Sequence, residues 1–188
     1  MGEHAVFVAD LTVDREVRRI ARDFLHRFGS LDILVHGGGV HLAGSYENAK
    51  ISDLDRQYVA NVRVPYLLTK TLLPSLLESS GEIVFLNSSI VFFPRPNIGQ
   101  FAATQHALRG VADTLRAELN PRGVRVLTLY AGRTATKRQE RLFREEGRRY
   151  EPERLLQPED VAKCLVGALT LPRTAEVTEV RVRPMLKS

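Results

Sequence analysis

The run Leu31-Asp32-Ile33-Leu34-Val35-His36-Gly37-Gly38-Gly39 is the most informative in the chain. An apolar segment this short, rich in branched residues and stopped by three glycines, reads as a buried strand that runs into a loop where backbone can approach a ligand closely. Four other runs share its character, at residues 5–9, 82–86, 124–130 and 177–182. Between these five, residues 13–28, 51–77, 101–119 and 158–169 space their apolar side chains by three and four, the period of a helix with one buried face. Strand alternating with helix predicts a parallel sheet covered by helices, because parallel neighbours need long crossovers. The fold class is therefore α/β, and residues 1–188 read as one domain.

The 188 residues are 44% hydrophobic and 26% charged, the balance of a compact soluble chain. A single cysteine, Cys164, allows no internal disulfide, and no cluster of Cys and His has the spacing of a metal site, so no metal is expected. Met1-Gly2-Glu3-His4 does not begin a basic region followed by an apolar stretch, and Asn87, Ser88 and Ser89 break the most apolar segment well short of a membrane span. A cytoplasmic protein with no membrane partner is the expectation. The net charge of +5 includes a cluster at Arg133, Lys137, Arg138, Arg141, Arg144, Arg148, Arg149 and Arg154. Interleaved Glu140, Glu145, Glu146, Glu151 and Glu153 make it read as a solvated, ion-paired face rather than a nucleic-acid surface. Residues 134–157 are the least regular stretch and read as a mobile lid.

Ligands of open parallel sheets bind at the carboxyl ends of the strands. The first four runs lead into Asp10-Leu11-Thr12, His36-Gly37-Gly38-Gly39, Asn87-Ser88-Ser89 and Ala131-Gly132-Arg133-Thr134-Ala135-Thr136 respectively. Glycines there admit a ligand, and small hydroxyls can bond a phosphate, a ribose or a carbonyl.

With these segments the chain resembles the short-chain dehydrogenase/reductase family. Residues 31–39 are similar to the family's Leu-Asp-x-Leu-Val-Asn-Asn-Ala-Gly, and Gly81-Glu82-Ile83-Val84 into Asn87-Ser88-Ser89 resembles the strand that ends in its catalytic serine. Asn61 matches the asparagine of its proton relay, and Ser88 precedes Phe101 by 13 residues, the family's serine-to-tyrosine spacing. The resemblance implies a Rossmann-like doubly wound parallel sheet that lacks its first two strands, with five strands left and helices mainly on one face. It also implies NAD or NADP as cofactor, contacted by Asp10, Leu11, His36, Gly38, Gly39, Ala131, Gly132, Thr134 and Thr136. A homodimer, or a heterodimer with an active relative, is implied through the helix of residues 101–119 and the long helix before it.

Two departures shape the expected function. In the family a Tyr-x-x-x-Lys pair does the chemistry: the tyrosine protonates the carbonyl oxygen as hydride arrives, and the lysine one turn on lowers its pKa. Here the catalytic positions are Asn61 and Ser88, which match, and Phe101 and Gln105, which do not. Further, the family's opening strand, Gly-rich turn, helix and second strand have no counterpart before Ala5, so weak cofactor binding is expected. The expectation is a catalytically silent relative that binds or dimerises; the alternative is an NAD(P)-dependent oxidoreductase whose cofactor-binding beginning lies upstream.

Several residues carry a second reading. His36-Gly37-Gly38-Gly39 also resembles a lipase oxyanion-hole loop, but no Gly-x-Ser-x-Gly elbow accompanies it. Asp10 either begins a helix or bonds an adenine amino group, and Asn61 either satisfies backbone or relays protons. His106 reads as a surface or dimer-facing residue, His41 and His26 as ordinary polar residues, and Cys164 as a buried small hydrophobe. Gly110, with Ala102-Ala103, suggests close helix packing. Loss of the first strands should leave strand side chains such as Val8, Leu34 and Val84, or their neighbours of opposite pleat, under-covered.

Overall fold

A computed structural model describes residues 4–186; the reading made of Met1-Gly2-Glu3 lies outside them. The elements run α1 (Asp14–Phe28), β1 (Ile33–His36), α2 (Ile51–Tyr58), a π-helical turn (Val59–Arg63), α3 (Val64–Glu78), β2 (Glu82–Ser88), α4 (Gly99–Leu119), β3 (Arg125–Ala131), α5 (Lys137–Glu145), α6 (Pro158–Leu169) and β4 (Glu179–Val182). The strands form one parallel sheet in the order β1-β2-β3-β4. Its register sets Val35 beside Val84, Val84 beside Leu127, and Leu129 beside Val180. This is the α/β class read from the alternation of strand and helix.

The core lies between the sheet and one helical layer. Leu34, Ile83, Phe85 and Val126 point from the strands into Leu72 and Leu76 of α3 and Leu108, Ala112 and Leu119 of α4, with Ala21 of α1 at the margin. At roughly 1.5–3 kcal/mol for each fully buried large aliphatic side chain, this layer is the main source of stability. Buried ion pairing adds specificity at the sheet's amino end, where Arg125 meets Glu82 and also donates to the Ala175 carbonyl at 2.9 Å.

The fifth expected strand is not in the sheet. Residues 5–9 form no regular element and pair with no strand, and Val6 and Val8 are largely exposed. Phe7 holds the segment down on Phe24 and Phe28, with ring centroids 6.3 and 6.5 Å apart, and Arg19 donates to the Val8 carbonyl at 2.8 Å. An apolar pattern favours a strand, but a strand must also bond a neighbouring edge, and residues 5–9 lie against α1 without pairing to β1.

Within the sheet, the exposed large apolar side chains are on β1. Ile33 and Val35 are each 44% exposed, whereas Leu34 and His36, of opposite pleat, are 8% and 7% exposed. Val84 is fully buried, so of Val8, Leu34 and Val84 only Val8 is bare. The bareness at β1 falls on the opposite-pleat neighbours of Leu34. Helix α6, on the other side, has no buried residue, and Cys164 within it is only half-buried.

Residues 134–157 are organised rather than irregular. Thr136 caps α5 by accepting from the Gln139 amide at 3.2 Å, Leu142 and Phe143 are buried, and Thr134 bridges Leu156 in parallel. The pattern hid this because the segment's few apolar residues are spaced among charges. The charges are laced as expected, in pairs such as Arg141 with Glu145 at 3.4 Å and Arg154 with Glu151 at 2.9 Å. Gly110 faces open space, so it marks no close helix packing within the chain.

Candidate functional site

A cleft of about 540 Å³ opens at the carboxyl ends of β1, β2 and β3. Its floor is the Gly37-Gly38-Gly39 loop and the ends of β2 and β3; α4 forms one wall and α5 the other. Of the residues singled out from sequence, Gly38, Gly39, Asn61, Ser88, Phe101, Gln105, Ala131, Gly132, Thr134 and Thr136 come together here. Asp10, Leu11 and His36 do not line it.

The reasons for those three are local. The Asp10 carboxylate accepts from the Thr12 hydroxyl at 2.7 Å and the Thr12 amide at 2.9 Å, a turn leading into α1 that holds its pKa below the usual range. Leu11 sits in the same turn, partly exposed. His36 turns into the helical layer, stacks on Phe85 with centroids 4.9 Å apart, and bonds the Thr69 hydroxyl at 2.8 Å. Burial pushes its pKa down to about 4, so it is neutral and structural.

Asn61 is committed to backbone. The π-helical turn brings its carboxamide to Val40, where Oδ1 accepts from the amide at 2.7 Å and Nδ2 donates to the carbonyl at 2.8 Å. Nδ2 also donates to the Thr104 hydroxyl at 3.0 Å. Gly39 is glycine for this reason, since a Cβ there would lie 2.8 Å from Asn61 Oδ1. Gly132 likewise answers to packing, because its Cβ would meet Pro184 Cδ at 2.8 Å. Gly38 has nothing within 4 Å of where a Cβ would be, and is the one of the three that leaves room over the floor.

On the α4 wall Phe101 and Gln105 stand one turn apart. The Phe101 ring packs against His41 with centroids 4.5 Å apart, and His41 Nδ1 is buried without a hydrogen-bond partner. Burial first, then the charge of Arg138, holds the His41 pKa below its ordinary value. Gln105 is buried, and its carbonyl accepts from Asn87 Nδ2 at 3.0 Å. The Ser88 hydroxyl accepts from the Ile90 amide at 3.3 Å, and among the described residues no histidine bonds Ser88 or Ser89. The nucleophile–base pair that a hydrolase needs is therefore not formed.

Sequence reading missed the cations. Arg95, Arg133, Lys137 and Arg138 all line the cleft, with Glu146 as their acidic neighbour. Arg133 grips Glu146 through two 2.8 Å bonds and lies 4.6 Å over the Phe143 ring, while its Nη1 is buried without a partner. Desolvation raises the Glu146 carboxyl, but Arg133 and Arg148 together bring it below its usual value. Arg138 reaches back to donate to the Gly39 carbonyl at 2.7 Å. The available signal was position: Arg133, Lys137 and Arg138 come directly after the end of β3, where ligands of such sheets lie. Nothing in the sequence marked Arg95.

A sheet, glycine loop and α4 wall arranged in this way agree with what comparison finds. A sequence model of the short chain dehydrogenase family matches residues 2–147, and the chain belongs to that family. It is 28% identical over 181 residues to an uncharacterised oxidoreductase of Staphylococcus epidermidis, the match covering 96% of this chain and 76% of the relative. Its fold is similar to that of an alcohol dehydrogenase from the archaeon Thermococcus sibiricus complexed with 5-hydroxy-NADP, with a TM-score of 0.83 at 22% identity over 96% of this chain and 74% of that one. It is similar as well to a 3-ketoacyl-(acyl-carrier-protein) reductase from Brucella melitensis complexed with NADH, with a TM-score of 0.81 at 27% identity over 94% of this chain and 76% of that one. Among the described residues no helix is long and apolar enough to cross a membrane, and no group of three or more His, Cys, Asp or Glu is placed to hold a metal ion.

Proposed function

We propose that this member of the short-chain dehydrogenase family binds an organic ligand in its cleft and does not carry out hydride transfer at an ordinary rate. The pair Phe101 and Gln105 carries this reading. Both line the cleft from α4, and neither is an acid that could protonate a carbonyl oxygen. Ser88 can hold such an oxygen, but its hydroxyl gives up a proton far less readily than a tuned phenol. His41, the titratable ring against Phe101, has its pKa lowered by burial and by the charge of Arg138, which disfavours the protonated form a general acid needs.

A nicotinamide dinucleotide fits at one end only. Gly38, Thr134 and Thr136 offer room and hydrogen-bonding groups for the reactive ring and its ribose, and such a cofactor would supply hydride there. At the other end Asp10 and Leu11 lie off the cleft, and among the described residues no strand flanks the free edge of β1. The described residues thus seat one end of the dinucleotide, and taken by themselves should bind NAD or NADP weakly. The outward sides of α3 and α4, where Tyr66, His106 and Gly110 are exposed, suit pairing with a second copy or an active relative.

The test is turnover. Purified protein is assayed with NADH and NADPH against a panel of aldehydes and ketones, and with the oxidised cofactors against alcohols. Enzymes turn over at a median of about 10 s⁻¹, and loss of the general acid alone removes roughly 10²-fold or more. No substrate should exceed about 0.1 s⁻¹ on that scale, and one that does refutes the proposal.

A further inference from the structure

We propose that the cleft selects an organic anion, with a phosphate or carboxylate head seated beside Arg95 and Arg133 and an apolar body lying toward Ile98, Phe101 and Leu142. The inference rests on reading this cleft as a ligand site, and holds whether or not the ligand is turned over. Four cationic side chains and one carboxylate line the cleft, and that carboxylate, Glu146, is shared between Arg133 and an outer residue, Arg148, which it meets at 3.3 Å. A concave site with one sign of charge concentrates counter-ions of the other.

The pairing pattern separates this charge from the ordinary surface charge around it. On the outer side of α5, Arg141 and Arg144 each meet a glutamate one turn away. Beside the cleft, Arg95 is exposed and makes no hydrogen bond or ion pair among the described residues. Partial desolvation at the cleft, followed by the charge of Arg133, holds its pKa below the usual guanidinium value. Arg133 is fixed by Glu146 and the Phe143 ring, yet leaves Nη1 buried in the wall without an acceptor. Two guanidiniums that repel one another and are under-compensated by the protein form a natural seat for an oxyanion, which arginine can take in a two-pronged fashion. The ring of Phe101 and the side chains of Ile98 and Leu142 supply apolar lining for the rest of the ligand.

The experiment titrates the full chain with 1-naphthyl phosphate, 1-naphthoate and neutral 1-naphthol, read by naphthalene fluorescence. At least one anion should bind about tenfold or more tightly than naphthol, the size of effect expected of a charge-assisted contact. Preference for the ester marks a phosphate ligand and preference for the acid marks a carboxylate; either supports the proposal. Arg95→Gln should erase the advantage and Arg95→Lys should keep much of it. Arg133→Gln should act in the same direction, but it also breaks the Glu146 pair, so Arg95→Gln is the deciding variant. Naphthol binding as tightly as both anions overturns the proposal, and so does unchanged anion affinity in Arg95→Gln. Turnover of a carbonyl in the separate assay would overturn catalytic silence and leave anion selection standing.

Discussion

Gly39 and Asn61 form one mechanical unit, and a double-mutant cycle measures it. Asn61, 2% exposed, spends its carboxamide on the Val40 amide, the Val40 carbonyl and the Thr104 hydroxyl, at 2.7, 2.8 and 3.0 Å. Asn61→Ala removes all three bonds and leaves two backbone groups to find water, a loss of about 2–4 kcal/mol at roughly 1 kcal/mol per bond plus desolvation. In a domain of this size that lowers Tm by roughly 5–15 °C. Gly39→Ala would set a Cβ 2.8 Å from Asn61 Oδ1, an atom that its own bonds prevent from yielding, so about 1–3 kcal/mol is lost to overpacking. With Asn61 already truncated the clash disappears, and the same Gly39→Ala change should then cost no more than about 0.5 kcal/mol. Thermal and urea unfolding followed by circular dichroism, on the parent, the two single variants and the double variant, should give a coupling of about 1–2 kcal/mol. Additivity within about 0.5 kcal/mol would refute the argument. An Asn61→Ala protein as stable as the parent would show that the asparagine serves something other than the loop.

Three other outcomes are expected. His36 is held near pKa 4 against an ordinary 6.5, so the unfolded chain takes the proton more readily; stability is fully present above pH 6.5 and falls by an order of 3 kcal/mol as pH drops to 4. His36→Gln should flatten that part of the pH–stability curve, and matching slopes in parent and variant would count against the buried neutral ring. Ile33 and Val35, each 44% exposed on β1, should bind the dye ANS and promote self-association; Ile33→Thr with Val35→Thr should lower both dye fluorescence and light scattering, and no change in either would show that this surface is covered in solution. Phe101→Tyr with Gln105→Lys should yield no appreciable carbonyl reduction, because the acid is restored without a full cofactor seat, and should lower Tm because residue 105 is only 5% exposed; clear turnover would overturn the reasoning.

Sequence carried the fold to the extent that each element buries a face of its own. β2 and β3 are covered on both sides, so their near-continuous Glu82–Ser88 and Arg125–Ala131 runs are unmistakable, and α4 shows its period because Leu108, Ala112 and Leu119 face one core. Residues 5–9 have the same composition, yet Val6 and Val8 are largely exposed, since apolarity tells a segment to extend and not what to pair with. The break in the helix over residues 51–77 was equally hidden: a π-helical turn inserts a residue without disturbing composition, and its effect is to aim Asn61 at Val40.

The site divides along the same line. Nine residues chosen for their places at strand ends and on α4 line one cleft, joined by Asn61 of the π-helical turn, because topology brings the carboxyl ends of parallel strands together. What each side chain does there depends on partners that spacing cannot name. Asp10 was drawn into its own turn by Thr12, and His36 into the core by Thr69 and Phe85. The basic cluster shows the limit most clearly. Read along the chain, Arg133, Lys137, Arg138, Arg141 and Arg144 form one series of charges interleaved with glutamates. In the fold their place along the chain sorts them: Arg133 before α5 and Lys137 and Arg138 in its first turn line the cleft, while Arg141 and Arg144 farther along meet glutamates one turn away. Arg95, remote in sequence, joins them with no acid of its own. Equal residues in one run thus acquire opposite meanings, solvated ion pairs farther along the helix and an under-compensated positive wall near the strand end, and distance from the end of β3 decides whether a charge meets water or a ligand.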